Sequence, residues 1–252
     1  MNTVSLAKRI KLNVLKMCYE SHSSHIGSCL SCADILAVLY NDVLKREERF
    51  IMSKGHAAAA LYAALAETGR IPKKALDTYC QNGGTLSGHV SYGVSGVEVS
   101  TGSLGHGLSI ACGMAKANSS SRVFVLMGDG ECDEGSVWEA ALFAAHHKLG
   151  NLTAIVDWNR IQSFGAVSEV LGLEPFVTKW QAFGWRCVLR SGHDFQDMQS
   201  GLELPDEGSP LAILAVTVKG KSVSLLENTL LSHYVLLTDE QYHNAVKEIE
   251  GC

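Results

Sequence analysis

Two oxygen-bearing side chains stand out by type and spacing. Asp129 lies between Gly128 and Gly130 in "GDGE", and Asn159 follows thirty positions later in "DWNR". Each comes straight after an apolar run, "RVFVLM" (122–127) before the first and "LTAIVDW" (152–158) before the second. A carboxylate and a side-chain amide oxygen suit a hard divalent cation, Mg2+ or Ca2+. Mg2+ keeps one or two protein oxygens and takes the rest of its shell from phosphate and water. Glycines on both sides of Asp129 let a bulky anion approach the backbone. A helix starting near Gly135 would offer unpaired N–H groups to phosphate oxygens. The pair therefore reads as a Mg2+–diphosphate site. Gly-Asp-Gly alone is a common turn. Asn159 in the matching setting is what gives the reading its weight.

The elements that position these residues follow from short apolar runs alternating with helical patterns. Strands are predicted over 49–53, 122–127, 152–158, 186–190 and 211–218, and helices over roughly 56–69, 104–117, 135–149 and 172–184. Gly150 reads as the cap that ends the third of these helices. Strands apolar on both faces, alternating with helices, imply an α/β fold with a parallel sheet flanked by helices. A right-handed crossover makes the strands before Asp129 and Asn159 parallel. Both residues then lie at accessible carboxyl ends of strands, where open α/β sheets bind ligands.

The chain has 252 residues and 46% hydrophobic content, enough for one large domain over 1–252. A net charge of −5 gives no basic footprint for nucleic acid. No apolar run reaches the ~18 residues of a membrane span, so no membrane partner is expected. Leu6, Ile10, Val14 and Met17 recur at helical spacing, which favours a covering helix over a transit peptide. The eight cysteines are expected to be free thiols in a reducing, cytoplasmic compartment. Cys29 and Cys32 form a C-x-x-C with no second pair at zinc spacing, and read as small packing residues at a helix start.

"GDGECDEGSVWEAALFAAHHKLGNLTAIVDWNRI" resembles the thiamine-diphosphate motif, which opens on Gly-Asp-Gly and closes on Asn about thirty residues later. Five ordered segments resemble the transketolases in particular. The other four are "SSHIGSCLSCADILAVLY", "MSKGHAAAALYAALAETG", "GHVSYGVSGVEVSTGSLGHGLSIACGMA" and "VKGKSVSLLENTLLSH". The resemblance implies the diphosphate-binding domain of the thiamine-diphosphate-binding fold. It covers only the first of the three domains of a transketolase. The chain therefore resembles the N-terminal subunit of a split enzyme, with the pyrimidine-binding half on a C-terminal partner chain and two copies of each in the assembly.

The resemblance assigns roles residue by residue. Asp129, Asn159 and the Ile161 carbonyl would hold Mg2+, with Gly128 and Gly130 against the diphosphate. Gly102 and Leu104 in "STGSLGHG" would meet the aminopyrimidine. His25, His56, His89 and His233 would serve ketol transfer between sugars or sugar phosphates, His56 and His233 also touching the cofactor. Imidazoles suit this chemistry because they donate, accept and neutralise oxyanions near neutral pH. Glu134 and Glu139 match family glutamates of a carboxylate network at the subunit interface. The match departs after three histidines: Ile26 and Val90 stand where Pro often follows, and Tyr234 where Gly is usual. His106, His193 and His243 read as ordinary histidines, and His146–His147 cannot chelate one ion from neighbouring helix positions. Two other classes would share the fold: a different thiamine-diphosphate enzyme (the first component of a 2-oxo acid dehydrogenase, or a deoxyxylulose-phosphate-type synthase), and a non-catalytic cofactor-binding fragment.

Overall fold

The five apolar runs form one parallel sheet. The structure, a computed structural model, describes residues 2–251. The strands are β1 (Arg49–Met52), β2 (Val123–Gly128), β3 (Leu152–Trp158), β4 (Arg186–Ser191) and β5 (Leu211–Val216), in the order β1-β2-β3-β5-β4. All four pairings are parallel. β2, β3 and β5 occupy the middle, and β3 is buried along its whole length.

Alternation within each strand divides the core in two. Phe124, Leu126, Ile155 and Ile213 face one helical layer: α1 (Thr3–Glu20), α2 (Ile26–Val38), α3 (Ala58–Glu67), α8 (Phe195–Leu202) and α9 (Asp239–Gly251). Val123, Val125, Met127, Val156 and Leu214 face the other, built from α4 (His106–Ala117), α5 (Gly135–His146) and α7 (Phe176–Ala182). Each such side chain taken fully out of water contributes about 1.5–3 kcal/mol. Leu6, Ile10, Val14 and Met17 are buried on α1, as their spacing predicts.

Three expectations change. The region 172–184 is not one helix: a short α6 (Val167–Val170) precedes it, and α7 starts only after Pro175, which cannot sit inside a helix. Gly150 is not the cap of α5. The helix ends at His146, and Lys148 takes the left-handed turn with φ 51°. A Cβ on Gly150 would meet only the carboxylate end of the exposed Asp206 side chain, 1.7 Å from its Oδ1. Finally, α2 runs through a π turn, Leu39–Val43, giving one 18-residue stretch, Ile26–Val43, long and apolar enough for a membrane span. It lies in the protein core, 89% buried.

Candidate active site

Four of the five strands deliver their carboxyl ends to one cleft of about 390 Å3. β1 leads to Lys54 and His56, β2 to Gly128–Gly130, β3 to Asn159 and Ile161, and β5 to Lys219. β4, on the sheet edge, contributes nothing. Every residue that the sequence places in the site lines this cleft: His25, His56, His89, His233, Gly102, Leu104, Gly128, Asp129, Gly130, Glu134, Asn159 and Ile161.

Asp129 departs from expectation in one respect. It is 3% exposed and so is not on an accessible edge. Its carboxylate accepts N–H bonds from Gly130 (2.7 Å) and Arg160 (2.5 Å). Burial, and then the neighbouring Asp157, push its pKa up to about 6. Asn159 Oδ1 accepts the Ile161 N–H at 3.1 Å. Among the described residues no group of three or more His, Cys, Asp or Glu could hold a metal. Asp129, Asn159 and the Ile161 carbonyl supply one charge and three hard oxygens, each with a lone pair to spare, which fits Mg2+ sharing its shell with phosphate. A Cβ on Gly128 would meet nothing within 4 Å, so the backbone there is open to an anion.

The imidazoles cluster around His25. Its ring centroid lies 5.6 Å from those of His56 and His89 and 4.8 Å from that of His233. His25 takes the left-handed conformation at the start of α2, φ 73°, and donates its N–H to the His233 carbonyl at 2.9 Å. Burial first, then neighbouring charge, lowers His25 to about 4 and His233 to about 3. His56 is also held well below its ordinary value, by burial and by Lys54. Its Nε2 meets Ser28 Oγ at 2.8 Å. These three rings are neutral at pH 7. The buried His233 Nδ1 has no partner within the protein, which leaves it open to a ligand.

Three charged residues went unread in the sequence. Lys219, 2% exposed, donates to the carbonyls of Ile161 (3.0 Å) and Gln162 (3.3 Å). Burial, then Lys54, lowers its pKa to about 8, so it remains largely a cation at pH 7. Lys54 is paired with Asp157 beneath the cleft. Glu131 accepts from the Ser53 hydroxyl and from the N–H groups of Gly105 (2.9 Å) and Gly128 (3.3 Å), joining the loops that carry Ser53 and Gly105 to its own. A basic residue just past each of two strand ends, and an acid two places after Asp129, were the available signals. Both lysines lie inside segments already singled out for their histidines.

Other candidates lie elsewhere. Glu139 is exposed on α5, beside Ser109 and Phe143 and away from the cleft. His193 is structural: its Nδ1 pairs with Asp34 at 2.8 Å and its Nε2 accepts the Val218 N–H at 2.8 Å. His106 and His243 are exposed, and neither lines the cleft. Cys29 and Cys32 are fully buried, with their thiol pKa values pushed up by burial.

Comparison with known proteins identifies the family. A family model described as "Transketolase, thiamine diphosphate binding domain" matches residues 3–251. The chain therefore belongs to the transketolase family, as its thiamine-diphosphate-binding part. It is 38% identical over 258 residues to one of the subunits of apulose-4-phosphate transketolase from Phocaeicola vulgatus, covering 96% of this chain and 92% of that one. It is 40% identical over 242 residues to 6-deoxy-6-sulfo-D-fructose transketolase subunit SqwG of a Clostridium species, covering 90% and 88%. Transketolase from Campylobacter jejuni superposes with a TM-score of 0.92 at 29% identity, over 99% of this chain but 43% of that one. The chain thus spans nearly the whole of the separate subunits and less than half of the solved single-chain enzyme.

Proposed function

We propose that this chain is the diphosphate-binding subunit of a two-chain transketolase, working in an assembly with two copies of each chain. The observation that carries the reading is one cleft holding Asp129, Asn159, the Ile161 carbonyl and four clustered histidines at the carboxyl edge of the sheet. Asp129, Asn159 and Ile161 hold Mg2+, and Gly128, Gly130, Lys219 and His233 receive the diphosphate. Thiamine diphosphate, when bound, supplies the carbanion chemistry that moves a two-carbon ketol unit. His25, His56 and His89 meet the sugar hydroxyls. Their neighbour spacing lets one imidazole take a hydroxyl proton while another donates to an oxygen gaining charge. The neutral His25 and His56 rings suit that work, since each keeps one donor and one acceptor nitrogen. Gly102 and Leu104 face the aminopyrimidine, and Glu134 lies at the rim toward the partner. The carboxylic acid that must face that ring comes from the partner chain.

The substrates are a ketose or ketose phosphate as donor and an aldose or its phosphate as acceptor. The sugars in the names of the two subunit relatives belong to those enzymes, and both are modified carbohydrates. The test is Asp129→Ala in the assembled pair, with thiamine diphosphate binding followed by calorimetry with and without Mg2+. Loss of Mg2+-dependent binding is expected. Unchanged affinity and metal dependence would refute the assignment. Asn159→Ala removes a neutral ligand and is expected to be milder.

A further inference from the structure

The segment after Asn159 is a narrow hairpin. Ile161 pairs with Ala166 in an antiparallel bridge, and Gln162 donates its N–H to the Gly165 carbonyl at 2.9 Å. Its tip carries Phe164, 82% exposed, so little packing holds it. Side chains hold it instead. Lys219 takes the carbonyls of Ile161 and Gln162, Gln162 Nε2 reaches Asp133 at 2.7 Å, and Tyr234 Oη donates to the Ser163 carbonyl at 2.9 Å.

Tyr234 starts from a firm base. It follows the 3-10 turn Leu230–His233, whose Ser232 is fully buried against α2, where a Cβ on Gly27 would lie 2.2 Å from Ser232 Oγ. Its ring also contacts that of His233 edge-on, with centroids 4.9 Å apart. One side chain therefore joins the His233 segment to the hairpin across the cleft rim.

We infer that Tyr234 is a positioning residue that straps the hairpin and so fixes the Ile161 carbonyl for a cation. The inference rests on the reading of Ile161 as a metal ligand. The strap matters most when the cation is present. A divalent ion on the Ile161 carbonyl repels the Lys219 ammonium from the same oxygen, which loosens the lysine tether. The hairpin then depends on Gln162 and on Tyr234.

The test is Tyr234→Phe, which keeps the ring beside His233 and removes only the hydroxyl. Two readouts are needed. Amide hydrogen exchange on the assembled pair with thiamine diphosphate and saturating Mg2+ should speed up at Gln162 and Val167, the bonded amides of the hairpin and its base. Mg2+ titration of thiamine diphosphate binding in the assembled pair should show half-saturation moving up about fivefold, the worth of one ordinary hydrogen bond. The melting temperature should stay the same, because Tyr234 is half exposed. Unchanged exchange would overturn the strap. Faster exchange with an unchanged Mg2+ requirement would overturn its link to the metal. Asp129→Ala, run in parallel, separates the causes. If it abolishes Mg2+ dependence while Tyr234→Phe does not alter it, the strap has failed. If neither alters it, the metal reading itself has failed.

Discussion

Lys54 and Asp157 form a buried ion pair at the floor of the cleft, their side chains 1% and 0% exposed. Lys54 leaves the end of β1, and Asp157 lies near the end of β3, two residues before Asn159. Asp157 also accepts from the hydroxyls of Ser31 and Thr217, and Lys54 donates to the Ser28 carbonyl at 3.1 Å. The carboxylate is held below its usual range by Lys54 despite its burial. The pair thus binds two of the strand ends that deliver site residues.

Removing one partner strands the other. Lys54→Met should destabilise the chain by about 3–5 kcal/mol, and Lys54→Met with Asp157→Leu should recover part of that loss. Urea denaturation of the three proteins checks it. A single variant as stable as the parent would show that the pair contributes nothing.

Glu131→Gln should weaken cofactor binding without unfolding the chain. The amide keeps one oxygen where the carboxylate served three donors on loops bearing Ser53, Gly105 and Gly128. Losing one bond to a charged acceptor is worth about 1.5–3 kcal/mol, or ~10- to 100-fold in affinity. Calorimetry with thiamine diphosphate on the assembled pair reads it. Unchanged affinity would mean that the two loops hold their places without Glu131.

Acid should weaken the fold through the imidazole cluster. In the unfolded chain these histidines titrate near 6.5. In the fold His25 titrates at about 4 and His233 at about 3. The unfolded state therefore binds more protons between those values, and stability rises with pH across that window. The contribution is fully present above about 6.5 and is lost as pH falls toward 4 and 3. His25→Asn, which tolerates the left-handed backbone, should flatten the slope between pH 6.5 and 4 in melting-temperature profiles. Identical slopes would show that His25 titrates normally.

The apolar runs made the sheet legible, because a buried parallel strand must be apolar on both faces. The regular spacing of Leu6, Ile10, Val14 and Met17 made α1 legible for the same kind of reason. The helices α8 and α9 were missed, although Asp194 caps α8 by accepting from Gln196 and Asp197 N–H groups, a readable signal. Pro175 could likewise have divided the region 172–184. The cleft residues were legible where chemistry fixes both type and spacing, as with Asp129 and Asn159. Lys54, Glu131 and Lys219 were not. A buried charge is explained by its partners, and Lys54 meets Asp157 across 103 positions of chain. Nothing local in the sequence announces such a pairing. The burial of Asp129 is hidden for a similar reason, since the Arg160 N–H that closes over it comes from the next crossover.

The central claim is that this chain carries half of a site. It supplies oxygens for a metal, a cradle for a diphosphate, a set of imidazoles and the Gly102–Leu104 face for the aminopyrimidine, while the carboxylic acid for that ring is expected from the partner. The direct measurement is ketol transfer from a panel of ketose phosphates, with thiamine diphosphate and Mg2+, by this chain, by a C-terminal transketolase partner, and by the two mixed. Turnover is expected in the mixture alone, with the activity lost again when Asp129→Ala replaces the parent chain. Turnover by this chain alone at the rate of the mixture would contradict the account.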